Sequence, residues 1–119
     1  MKSFKSVSKL LCLAVVMLGM TLGTTQAVAG RASGKITFLT VRASDGLIYF
    51  GLDSAPTGQP PCAIGPYWII EDESSLAGRQ QYAMLLTAQA SGRAVVVDGS
   101  GTCTRSRDGE DVNVLNLAP

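Results

Sequence analysis

Ser74-Ser75-Leu76-Ala77-Gly78-Arg79-Gln80-Gln81-Tyr82-Ala83-Met84-Leu85-Leu86-Thr87-Ala88-Gln89-Ala90-Ser91-Gly92-Arg93-Ala94-Val95-Val96-Val97-Asp98 is the stretch on which the fold turns. A serine at its start can accept from the free N–H groups of a first helical turn. Glu71, Asp72 and Glu73 place negative charge beside the positive end of the helix dipole. Gly92 stands where a left-handed C-terminal cap belongs. A β-branched run follows at once, so the sequence predicts one helix fed directly into one strand.

The apolar residues of this helix fall in two stripes. At about 100° per residue, Tyr82, Ala83, Leu86 and Ala90 cluster on one side with Leu76 at the edge, and Ala77, Met84, Leu85 and Ala88 cluster on another. Gln80, Thr87 and Ser91 form a polar seam between them. A helix lying on one core needs one stripe, so the second asks for a partner surface, unless it is ordinary scatter of apolar groups on an alanine-rich helix. The first stripe is expected to face the core and the second, Ala77, Met84, Leu85 and Ala88, to form an oligomer interface. On that reading Leu85→Glu breaks an assembly and Leu86→Glu breaks the fold.

On the N-terminal side of the helix, Lys35–Arg42 is rich in β-branched and aromatic residues and predicts a strand. Ser44-Asp45-Gly46 then reads as a hairpin turn into Leu47–Leu52. Residues 53–65 hold Pro56, Gly58, Pro60 and Pro61 and read as a loop, before a third short strand at Pro66–Ile70. On the C-terminal side, Arg93–Asp98 is the fourth strand. Gly99-Ser100-Gly101 is a turn, 105–111 a polar loop, and Val112–Leu117 alternates as a fifth strand. The chain is therefore expected to be mainly β with one helix, in the order β-β-β-α-β-β. That is the order of a five-stranded OB-fold-like (oligonucleotide/oligosaccharide-binding) barrel.

Residues 1–29 stand apart. Lys2, Lys5 and Lys9 precede an apolar run from Leu10 to Leu22 that is too short to span a bilayer, and Ala27-Val28-Ala29 is a small-x-small cleavage site before Gly30. This reads as a signal peptide, with 30–119 as a single domain, secreted or periplasmic. Removing it leaves seven basic against nine acidic side chains, a net charge of −2. So mild an acidity gives no electrostatic case for nucleic acid or for an anionic membrane surface after the leader is removed. Cys12 is discarded with the leader, and an oxidising compartment predicts a disulfide between Cys62 and Cys103. Closing that loop is worth about 4 kcal/mol in the chain-entropy model, which matters in a chain this short. A metal pair or a nucleophilic cysteine lacks partners, because the chain has no histidine.

Catalysis has little to stand on. Asp45, Glu71 to Glu73 and Asp98 each have a turn or capping role, and no cleft signature marks a pair of carboxylates for glycoside hydrolysis. Gly99-Ser100-Gly101 lacks the Lys and the following helix that a phosphate loop needs. No catalytic residue, cofactor or metal is expected, and the chain does not read as an enzyme. Tyr49, Tyr67 and Trp68 are the better lead, since such rings stack on the C–H faces of sugars while their polar edges stay wet. The competing reading places them in the barrel core, which is favoured for Phe50.

Several short features resemble the B subunits of the subtilase cytotoxin and typhoid toxin group, the non-catalytic pentameric components of AB5 toxins. They are Ser33-Gly34 opening the first strand, Gly46 with Tyr49-Phe50, Cys62-Ala63 after a Gly/Pro loop, Trp68 before the helix, and Ala83 to Ser91-Gly92 followed by Val95-x-Val97. The chain is also similar to a wider set of small exported bacterial proteins with the leucine-alanine helix, the Ser-Gly cap and the Gly-x-Gly-x-Cys turn. The resemblance implies a ring, pentameric in that group, whose helices line a pore. It also implies an exported catalytic partner, a glycan ligand and a pocket role for Ser33. The tyrosine that those subunits carry at the end of the fourth strand falls here near Asp98-Gly99. The expectation is a secreted glycan-binding subunit with candidate residues Ser33, Tyr49, Tyr67 and Trp68. The alternative is a monomeric periplasmic or secreted protein-binding, inhibitor-like domain.

Overall fold

The computed structural model describes Gly23 and residues 28–119. Apart from Gly23, Val28 and Ala29, the leader read over residues 1–29 lies outside the described residues. Five strands, β1 (Arg31–Val41), β2 (Ile48–Leu52), β3 (Trp68–Ile69), β4 (Ala94–Gly99) and β5 (Glu110–Leu117), surround a core capped by one helix, α1 (Leu76–Ser91). They close into a barrel in the order β1-β2-β3-β5-β4. Every pairing is antiparallel except β3 with β5. The mainly β, one-helix, OB-fold-like architecture read from the sequence is the one observed.

Closure depends on β1, which serves two neighbours. Arg31–Lys35 pair with β4, Ile36–Val41 pair with β2, and the register slips between Ile36 and Phe38. Such an irregularity bends a strand from one partner to the next, as a small barrel requires. The strand starts four residues before the expected Lys35, because β4 would otherwise present an unpaired edge. β3 is shorter than expected. Pro66 has no N–H to give, and pairing begins at Trp68. The hairpin forms as read, with Arg42 N–H donating to the Leu47 carbonyl at 2.8 Å and Gly46 at φ 75°.

Phe50, Trp68, Ile70, Leu85, Ala88, Val95, Val97, Val112 and Leu115 form the core. β4 shows the alternation plainly: Val95 and Val97 are fully buried and Val96 and Asp98 are not. Cys62 and Cys103 are disulfide-bonded, tying the Pro-rich loop to the loop before β5.

The helix caps as expected. Ser75 Oγ accepts from Gly78 N–H at 2.9 Å, and Gly92 adopts φ 66° with Arg93 N–H returning to the Ala88 carbonyl at 3.0 Å. Its orientation is the reverse of the expectation. Gly78, Leu85 and Ala88 face the barrel and are buried, and Tyr82 and Met84 pack at the margins of that face. Leu76 is 72% exposed and Leu86 46%, with Ala83 and Ala90 beside them in solvent. Leu85 and Ala88, assigned to an oligomer interface, are therefore core residues. Met84 is half-buried against the core, and of that stripe only Ala77 is free. The reason lies at Gly78. A Cβ there would come within 1.9 Å of the Asp72 carbonyl oxygen, so this side of the first turn is pressed onto the preceding loop and sets which face turns inward. A stripe count over apolar side chains passes over a glycine.

Candidate functional site

One cleft of about 270 Å³ lies where the β1–β2 hairpin, β2, the start of β3 and the β4–β5 loop meet, lined by Arg42, Leu47, Tyr49, Tyr67, Ser106 and Asp108. Pleating places its aromatics. Ile48 and Phe50 point inward, so Tyr49 between them points outward; Trp68 points inward, so Tyr67 before it points outward. Tyr49 and Tyr67 consequently meet on the outer face, with ring centroids 5.7 Å apart and planes tilted by 56°. Phe38 from β1 extends the row, edge-on to Tyr49 at 6.1 Å.

Tyr67 is held on both sides. A Cβ on Gly65 would fall 2.2 Å from its ring, and one on Gly109 2.8 Å, so only glycines allow the loops to close on it. Its hydroxyl donates to Asp108 Oδ2, while Ser106 Oγ donates to Asp108 Oδ1 at 2.6 Å. These two donors, Ser106 first, hold the Asp108 carboxyl below the usual carboxylate range. Partial burial, together with the bond to Asp108, pushes the Tyr67 hydroxyl up to about 12. At neutral pH the pair is therefore a fixed carboxylate acceptor beside a fixed phenol donor. Neither titrates near the pH at which general acid–base work would use it.

The rim is braced by charge. Arg42 grips Asp45 with Nε at 2.9 Å and Nη2 at 2.6 Å, which lowers the Asp45 carboxyl and raises the guanidinium. Arg105 holds Glu73 through Nε at 3.0 Å and Nη2 at 2.7 Å, and Nη2 also donates to the Asp45 carbonyl at 3.0 Å. Three loops, before β2, before α1 and before β5, are thus tied together at one side of the cleft. Glu73, placed by the sequence at the helix dipole, is instead one member of this clamp. The bidentate geometry fixes loop positions more than it adds stability, because surface ion pairs contribute little.

The four glycan candidates separate. Tyr49 and Tyr67 come together in the cleft. Trp68 is fully buried in the core and cannot meet a ligand there, a correction that follows from strand alternation. Ser33 lies in the β1–β4 ladder opposite Val96, its carbonyl accepting from Ser54 Oγ at 2.6 Å, and does not line the cleft. Arg42, Ser106 and Asp108 were missed. The signal was present: in an OB-fold-like order, the loop after the first strand and the loop before the last are the ones that flank the ligand face. Both are polar loops in this sequence.

A second, smaller cleft of about 190 Å³ runs beside the start of α1, lined by Glu71, Asp72, Ser75, Ala77, Gly78, Gln81, Val112 and Asn113. Among the described residues no group of three or more His, Cys, Asp or Glu is placed to hold a metal ion, and no helix is long and apolar enough to cross a membrane. Compared with protein-family models, curated proteins and solved structures, the chain finds no match in any of the three.

Proposed function

We propose that this chain is a secreted, non-catalytic binding subunit that takes a sugar in the Tyr49–Tyr67 cleft. One observation carries the reading: two outward tyrosines stand beside a fixed carboxylate, a serine hydroxyl and an arginine, on the face flanked by the hairpin and the β4–β5 loop. Aromatic faces suit the C–H side of a pyranose, and Asp108 and Ser106 suit its hydroxyls. The cleft lies just below the roughly 300–1,000 Å³ usual for small-molecule sites, which fits one sugar ring better than an extended chain. The resemblance to toxin B subunits points to the same ligand class by a different residue set, since Ser33 stands apart.

A second reading concerns assembly, and the outward Leu76, Ala83, Leu86 and Ala90 favour it. A homo-oligomer, pentameric by the resemblance, would bury this stripe and could carry an exported catalytic partner. The experiment is a glycan array on the exported protein, with its mass measured by light scattering. The expected result is a sugar signal that falls at least tenfold in Tyr67→Ala and Tyr49→Ala. A folded protein with no signal would reject the sugar reading, and a monomeric mass would leave the protein-binding alternative in its place.

A further inference from the structure

Glu110, the first residue of β5, is fully buried. Its Oε1 accepts from Gly30 N–H at 2.8 Å and from Gly101 N–H at 3.0 Å, while Oε2 has no partner among the described residues. The carboxylate is wedged between two glycines: a Cβ on Gly99 would sit 2.0 Å from Oε1 and one on Gly30 2.4 Å from Oε2. The other buried polar atoms without partners, Gln59 Nε2 and Trp68 Nε1, belong to side chains packed around Gly30 and are uncharged. A buried carboxylate oxygen left without a donor is costly, and a cation that brings a donor to it removes that cost. Arg31, the cation that follows Gly30 in the chain, is exposed and bound to Asp98 at 3.3 Å.

Burial begins at Gly30: Val28 and Ala29 are exposed and Gly30 is buried. That is the junction at which the sequence places leader cleavage. We propose that cleavage after Ala29 completes the fold by supplying the missing cation, the α-ammonium of Gly30, to Glu110. Hydrolysis of the Ala29–Gly30 amide by an export peptidase leaves the hydroxyl of water on the Ala29 carbonyl carbon and its proton on the Gly30 nitrogen. That nitrogen takes a further proton from solvent and becomes an ammonium. It keeps the bond to Oε1 and gains a donor for Oε2, a charge-assisted pair where the uncleaved chain has one neutral N–H. The inference rests on the leader reading alone and is independent of the sugar site.

The charged groups at this junction are Glu110 on β5 and the Arg31–Asp98 pair on β1 and β4, while the carboxylate of Asp111, the next residue of β5, is taken up by the Thr104 and Arg105 N–H groups and the Thr102 and Thr104 hydroxyls. Pairing with Glu110 raises the folded pKa of the α-amine above its ordinary value of about 8. The added stability is therefore full below about pH 8 and is lost as pH rises through the folded pKa. The test compares the full chain exported and processed by a bacterial host with the same full chain kept uncleaved, both oxidised to the disulfide. The expected results are a processed product starting at Gly30, an α-amine pKa at least about one unit above 8, and a folding equilibrium constant that falls about tenfold more in the processed chain than in the uncleaved one as pH rises from 7 through the folded pKa of that amine. Glu110→Gln should erase that difference. Should this variant fail to fold, titration of the Gly30 amine by NMR in the processed wild type decides. A product beginning at another residue, or an amine with an ordinary pKa in the folded protein, overturns the proposal.

Discussion

Leu85 and Leu86 are neighbours in one helix with opposite fates: Leu85 is fully buried against the barrel and Leu86 is 46% exposed. The faces they belong to have similar compositions, each built from leucine and alanine. Their chemistry does not separate them. What does is contact geometry at Gly78, where the helix lies on the Asp72 carbonyl. An α-helix with two similar stripes can be turned either way over a core, and the choice is made by the position where no side chain fits.

Leu85→Ala tests the inner face most severely. Removing these buried methyls leaves a cavity in the core between α1 and the barrel, and a loss of about 2–5 kcal/mol is expected, read as a fall in the urea midpoint. Leu86→Ala should change stability, read from the same midpoint, by less than about 0.5 kcal/mol. Equal losses would mean that the two faces are not distinguished as described.

Gly78→Ala addresses the cause of the orientation. On propensity alone alanine should stabilise a helix interior by about 1 kcal/mol relative to glycine. The Cβ would meet the Asp72 oxygen at 1.9 Å, so loop and helix must part and a net destabilisation of about 1–3 kcal/mol is expected instead. The sign of the change decides: a more stable variant would show that the helix does not rest on this loop.

The same contrast of faces exists in miniature at Tyr67 and Trp68. Adjacent residues on a strand point to opposite sides, so the sequence already implied that only one of them could line an outward cleft. The fold was legible because strand alternation, the Asp-Gly turn, the proline loop and the Ser75 and Gly92 caps all agree on the element order. The cleft was half legible. Tyr49 and Tyr67 were visible as amphipathic rings, but Ser106 and Asp108 are brought to them by closure of the barrel through the parallel β3–β5 pairing, which no local pattern records. The carboxylate of Asp111 was hidden for the same reason. It looks like a loop charge in sequence, yet it is fully buried and anchors residues 102–105.

Tyr67→Phe should sharpen this smaller contrast. It removes the hydroxyl that donates to Asp108 and leaves the ring between its glycines, so a loss of about 1 kcal/mol is expected at pH 7. Because the folded Asp108 pKa is depressed, its stabilisation is present above the unfolded value of about 4 and is lost as pH falls through the folded value. The gap between wild type and Tyr67→Phe should therefore close in acid. A gap unchanged down to pH 2 would mean that the hydroxyl acts through packing and not through the carboxylate.

Leu86→Glu has the smallest expected effect on the single chain and the largest consequence for assembly. Leu86, with Leu76, Ala83 and Ala90, forms an apolar strip that a monomer leaves in water. A glutamate there stays solvated, so stability read from the urea midpoint should change by no more than about 0.5 kcal/mol. In a ring that buries the strip, the same charge would be desolvated without a partner, and light scattering should show the mass falling to that of one chain. An assembly that persists in Leu86→Glu would have to be built on another surface, since Leu85 and Ala88, turned inward by Gly78, cannot provide it.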